Sequence, residues 1–128
     1  MKNLFTICTL TSTLVLSPNS FSEWVGVDKT PDGSTHYLDF DRIRNVDGYV
    51  YFWSMVDFLK PTGYGDLSGK FYTKGDCKNF RLANLRLSLH QEPMGEGVGE
   101  VRTRSEEKWS YPPPDSMNET LLKTVCSR

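Results

Sequence analysis

The chain has 128 residues, 15 Lys and Arg against 16 Asp and Glu, and a formal net charge of −1. That length holds one small domain. The balanced charge argues against a general nucleic-acid binder, which would be strongly basic.

Residues 1–22 have the marks of an export signal. Lys2 gives a short positive head, and Leu4 to Leu16 form an apolar, threonine-diluted stretch of 13 residues. Such a stretch is too short to span a bilayer and right for a secretory signal. Ser20 and Ser22 are the small residues before an expected cut ahead of Glu23. Cys8 lies inside the apolar stretch. A lipoprotein cut there would leave almost no hydrophobic segment, so Cys8 is not read as a lipid anchor. No other apolar run reaches the roughly 18 residues a transmembrane helix needs. The domain then runs from Glu23 to Arg128, with 14 basic and 16 acidic side chains once Lys2 is lost.

Two cysteines remain in it, Cys77 and Cys126. Behind an export signal they allow a single intramolecular pairing, with a free thiol pair or an intermolecular bridge as the alternatives. Closing a loop of about 50 residues would add about 4 kcal/mol in the chain-entropy model. A domain this small has a thin core, so such a staple matters.

The chain then reads mostly as strands. Trp24, Val25 and Val27 begin the first. Thr30–Ser34 is a turn, with Pro31 fixing φ and Gly33 supplying the left-handed position. Tyr37, Leu38 and Phe40 give a second strand. Asp41–Arg44 fits one helical turn, and Asn45–Gly48 a reversal. Tyr49–Phe58 is the strongest strand, apolar on both faces: Val50, Phe52, Val56 and Phe58 on one, Tyr49, Tyr51, Trp53 and Met55 on the other. Such a strand is central and covered, or it leaves an aromatic patch of Tyr49, Tyr51 and Trp53 for a partner.

Pro61, Gly63, Gly65 and Gly69 make Lys60–Gly69 a loop. Lys70–Cys77 and Phe80–His90 read as two further strands. In the second, the apolar phase slips near Ala83 and Asn84, which predicts a β-bulge. Gly95, Gly97 and Gly99 mark a reversal before a strand over Val98–Arg104. Pro112, Pro113 and Pro114 end the sheet. Ser116 and Glu119 then form a capping box. Leu121, Leu122 and Val125 give the following helix of about ten residues an apolar stripe, and a helix that short must dock to persist. The expected fold is α+β: a meander of five or six antiparallel strands packed by one C-terminal helix, with a single disulfide.

No constellation of residues points to catalysis. His36 and His90 lack metal-ligand spacing and read as ordinary exposed strand residues, so neither a metal nor another cofactor is expected. Asp39, Asp41 and Asp57 read as carboxylates without a visible cleft, with Asp39 and Asp41 alternating onto one side of a strand edge as solvated carboxylates commonly do. The Gly95–Gly99 run places Glu96 where a phosphate would sit, and no helix signal follows it. Binding has one weak signal. Lys70, Lys74, Lys78, Arg81, Arg86, Arg102 and Arg104 concentrate in three neighbouring strands and would attract acidic or sulfated groups if they converged.

The ordered set of signals resembles the surface-adhesin protein E family of exported bacterial proteins. The matching pieces are Trp24-Val25-Gly26-Val27, Tyr37-Leu38-Asp39, Arg42-Ile43-Arg44 with Gly48, and Val50 to Phe58 with Trp53 and Asp57. Ser68-Gly69-Lys70, Asp76-Cys77-Lys78 with Arg81, Met94-Gly95, Trp109, and Pro114-Asp115-Ser116 before a helix ending in Cys126 complete it. The resemblance implies an antiparallel sheet on a C-terminal helix, paired cysteines, host matrix or serum glycoproteins as partners, and a homodimer as an available state. The chain departs from the family's named member in lacking a lipobox, so a periplasmic or released protein is as open as a surface one. A non-enzymatic binding module is the leading expectation. A periplasmic envelope protein without a host ligand is the alternative, and an inhibitor probing with Thr30–Ser34 is a third.

Overall fold

A computed structural model describes residues 23–128. The expected export signal, with Cys8, lies outside the described residues. The elements in chain order are β1 (Val25–Lys29), β2 (Thr35–Leu38), β3 (Arg44–Val46), β4 (Tyr49–Asp57), β5 (Ser68–Asp76), β6 (Arg81–His90), β7 (Gly99–Thr103) and α1 (Met117–Cys126). The strands form one antiparallel sheet in the order β1-β2-β4-β5-β6-β7. β3 is the strand beyond the expected six. It pairs with Tyr49–Tyr51 of β4, while β2 pairs with Ser54–Asp57. The two short strands thus lie end to end along one edge of β4. The 3-10 turn Phe40–Arg42 separates them, with the Asp39 carboxylate accepting the Asp41 N–H.

β4 is central, as its pattern predicts. Val50, Phe52 and Val56 are buried on one face, and Tyr49, Tyr51 and Trp53 are half-buried on the other. The predicted phase slip in β6 is present one residue beyond Asn84. Tyr72 pairs with Arg86 and Thr73 with Asn84, so Leu85 is the extra residue. One inserted residue turns the alternation over. Leu82 before the bulge and Leu87 after it therefore share the face of Val50 and Phe52.

α1 covers one end of that face. Leu121, Leu122 and Val125 join Leu38, Val50, Phe52 and Leu82 in a single core. The Ser116 hydroxyl accepts the Glu119 N–H, and the Glu119 carboxylate reaches back to the Asp115 N–H, one residue beyond the expected partner. Gly75 lets the helix approach. A Cβ there would meet Val50 Cγ1 at 2.8 Å and Leu122 Cδ1 at 2.9 Å. The Cys77–Cys126 disulfide ties the last turn of α1 to the end of β5. No helix among the described residues is long and apolar enough to cross a membrane.

Candidate binding cleft

The face of the sheet away from α1 carries rings and cations together. Strand alternation and register place Tyr51 and Trp53 of β4, Lys70, Tyr72 and Lys74 of β5, and Arg81 and Arg86 of β6 on this face. Trp53 stacks on Tyr72 at 4.9 Å between centroids, and Tyr49 on Trp109 at 5.9 Å. Trp109 is carried there by the segment after β7, which the Ser110 and Leu82 backbones anchor with reciprocal hydrogen bonds of 3.0 and 2.9 Å. Lys74 Nζ lies 4.2 Å from the Tyr49 centroid and donates to Glu107 at 2.8 Å. The Glu107 hydrogen bond raises the Lys74 pKa. The Arg81 guanidinium sits 4.3 Å from the Trp109 centroid and pairs with Asp76 at 2.9 Å. Lys74 and Arg81 are therefore already neutralised, and they glue the aromatic ladder together.

The seven predicted basic residues do not all converge. Lys70, Lys74, Arg81 and Arg86 share the aromatic face. Arg102 pairs opposite Leu87, on the helix side of the sheet, and Arg104 lines the same depression as Arg102 and Phe71, which Arg86 also borders. Lys78 is exposed in the β5–β6 turn. Arg102 is also paired, with Glu100 at 3.2 Å.

Lys70 and Arg86 have no ion-pair partner among the described residues. They line a cleft of about 560 Å³ with Trp24, Arg42, Trp53 and Met94. The cleft wall is the turn Pro93–Gly95, clamped to the sheet at three points. Asp57 accepts the Met94 N–H at 2.9 Å, and Ser68 Oγ accepts the Gly95 N–H at 2.8 Å and donates to the Glu92 carbonyl at 2.6 Å. Gly95 packs flat on the Lys70 stem, where a Cβ would meet Lys70 Cδ at 2.9 Å. The stem is thereby fixed while the ammonium faces the cleft. Arg42 also lines the cleft but is paired with buried Asp39 at 3.4 Å. Glu96 is the one acidic side chain lining the cleft. The arrangement suits an anion with a flat or apolar body.

The other candidates have structural employment. Asp57 holds the Met94 turn. His90 is not the exposed strand residue expected: it is buried, hydrogen-bonded to Ser88 Oγ at 2.9 Å and the Gly97 carbonyl at 3.3 Å. Asp39, expected to be solvated, is buried as the cap of the Phe40–Arg42 turn. Sequence reasoning did not assign Trp24, Arg42 and Met94 to a site. They come from the residue before β1, the β2–β3 turn and the β6–β7 connection, and the only trace of them as a group was their place in the family-like pattern.

Asp76 supplies a pH test of this face. Its carboxyl is held at about 2, first by the Asn79 side chain, then by the Asn79 backbone N–H, with Arg81 adding to both against the opposing effect of burial. A group whose folded pKa lies below its ordinary value of 3.8 stabilises the fold above that value, and the contribution disappears as the pH falls toward 2. The thermal midpoint should therefore drop between about pH 4 and 2. Asp76→Asn should melt lower at pH 7 and fall less over that interval. Equal acid slopes for the two proteins would remove Asp76 from the account.

Among curated protein sequences none matches this chain. Its fold is similar to crystal form II of Haemophilus influenzae protein E, with a TM-score of 0.65 and 18% identity over 84% of this chain and 89% of that one. Protein E from non-typeable Haemophilus influenzae gives a TM-score of 0.64 and 18% identity over 87% and 80%. At that identity the likeness speaks for the fold alone. The family model described as surface-adhesin protein E matches residues 24–127. That is nearly every residue the structure describes, and the chain belongs to the surface-adhesin protein E family.

Proposed function

We propose that the protein is an exported, non-enzymatic adhesin-type module that holds acidic or sulfated groups of host matrix or serum glycoproteins in the cleft between Trp53, Lys70, Arg86 and Met94. Family membership supports a surface adhesin. The observation that carries the ligand class is the pair of unneutralised cations, Lys70 and Arg86, flanking a tryptophan in a cleft of about 560 Å³. Nearby Lys74 and Arg81 are tied to carboxylates, so they contribute less to any anion.

Charge pairing at an exposed cleft is screened by salt, with a Debye length of about 8 Å at physiological ionic strength. Binding of the oxidised protein to immobilised matrix and serum glycoproteins should therefore be saturable and weaken as salt rises. Lys70→Glu with Arg86→Glu should reduce affinity at least about tenfold at low salt and flatten the salt dependence. Lys78→Glu, outside the cleft, should change little. Salt-insensitive binding, or loss equal in both variants, would overturn the cleft as the site. No binding to any glycoprotein would leave a periplasmic envelope protein as the better account.

A further inference from the structure

A second cavity lies on the opposite side of the sheet, and its chemistry is reversed. α1 is only ten residues long and covers the Val50 end of that face. Beyond its N-terminal end the sheet floor continues over half-buried Phe71 of β5, with the edge of buried Phe52 of β4 beneath it. The β1–β2 turn rises beside it. Leu121 closes the helix side and Phe58 the far side, giving a cavity of about 400 Å³. Small-ligand sites of mainly apolar lining with a few convergent polar groups occupy about 300–1,000 Å³.

The floor includes the polar side chains of Ser54, Thr73 and Asn84, and the one charged group of the lining sits at the turn. Thr30–Ser34 is closed by the Thr30 N–H on the Ser34 carbonyl and the Gly33 N–H on the Thr30 carbonyl, both 2.9 Å. Asp32 Oδ1 accepts from the Thr30 hydroxyl and from the Ser34 N–H. Those two donors, the hydroxyl first, hold the Asp32 carboxyl below its ordinary value, so it is ionised at neutral pH. Its second oxygen has no hydrogen bond within the turn. His36 is half-buried beside it, and burial lowers its pKa, so the ring is neutral at pH 7. No Lys or Arg lines the cavity. The site thus combines aromatic walls with a single negative charge at its rim.

We infer that this cavity is a small-molecule site for a compact aromatic amine, with its ring against Phe52 and Phe71 and its ammonium directed to Asp32. Phenyl faces and a carboxylate both favour a cation, and nothing in the lining would offset a carboxylate head. The site is independent of the cationic cleft, since the sheet separates them.

Three probes with similar bodies and different heads test it: 2-phenylethylamine, 2-phenylethanol and 3-phenylpropionate, each titrated into the 15N-labelled oxidised protein. The amine should shift the amides of His36, Phe71 and Asn84 saturably and bind about tenfold more tightly than the carboxylate. Asp32→Asn should abolish that preference while leaving the alcohol unaffected. Asn118→Trp, on an exposed helix position at the mouth, should block the amine without altering the melting temperature. The proposal is overturned if no probe saturates, if the carboxylate binds as well as the amine, if the shifts map to the aromatic face, or if Asp32→Asn retains the preference.

Discussion

Replacing Cys77 and Cys126 with alanine is expected to destabilise the protein by about 4 kcal/mol. The two residues are 49 apart in sequence, and releasing a loop of that length restores most of its closure entropy to the unfolded chain. For a domain of this size the loss corresponds to a melting temperature lower by roughly 15–30 °C. A domain whose whole margin is about 5–15 kcal/mol would then sit near its threshold. Calorimetry of the oxidised protein and the double variant at equal pH measures the difference. A drop of less than about 5 °C would mean that α1 is held by packing alone.

Leu122→Ala carries the second large effect. Leu122 is fully buried and faces the gap that Gly75 leaves in β5. Truncation removes its transfer free energy and opens a hole that the backbone of β5 cannot fill, so the expected cost is about 3 kcal/mol, within a range of about 2–5. Urea unfolding gives the value, and the slope of free energy with urea should stay unchanged. A cost under about 1 kcal/mol would show that neighbouring side chains collapse into the space. Leu122 and the disulfide both dock the same helix, so the two losses should not add. In the cysteine-free protein Leu122→Ala should cost less, because part of the helix contact is already gone.

The sequence made some elements plain and hid others for physical reasons. β4 was legible because its period-two alternation puts large apolar groups on both faces, a pattern only a covered central strand tolerates. α1 was legible from its cap and stripe. The disulfide was legible by count, since one intramolecular pairing was available. β3 was missed, with Arg44 read into a helical turn and Asn45 and Val46 into a reversal, since its three residues are all exposed and leave no apolar phase. The bulge in β6 was foreseen from the flip between Leu82 and Leu87, but its position was not, because any residue between them restores the same face. The cleft was the least visible. Whether Lys74 is free depends on Glu107, 33 residues away, and whether Arg102 shares a face with Arg86 depends on the β6–β7 register. Charge density along a chain does not encode either.

The core also has a consequence for the order of events in the life of the chain. Three of its seven buried members, Leu121, Leu122 and Val125, lie within the last eight residues. Strand pairing does not need these three residues, so the sheet can form while Val50 and Phe52 still face water. The core is therefore closed only when α1 docks. A chain truncated by a dozen residues keeps every strand yet lacks both the lid of the core and the second cysteine, and proteases would meet it as an unfinished sheet.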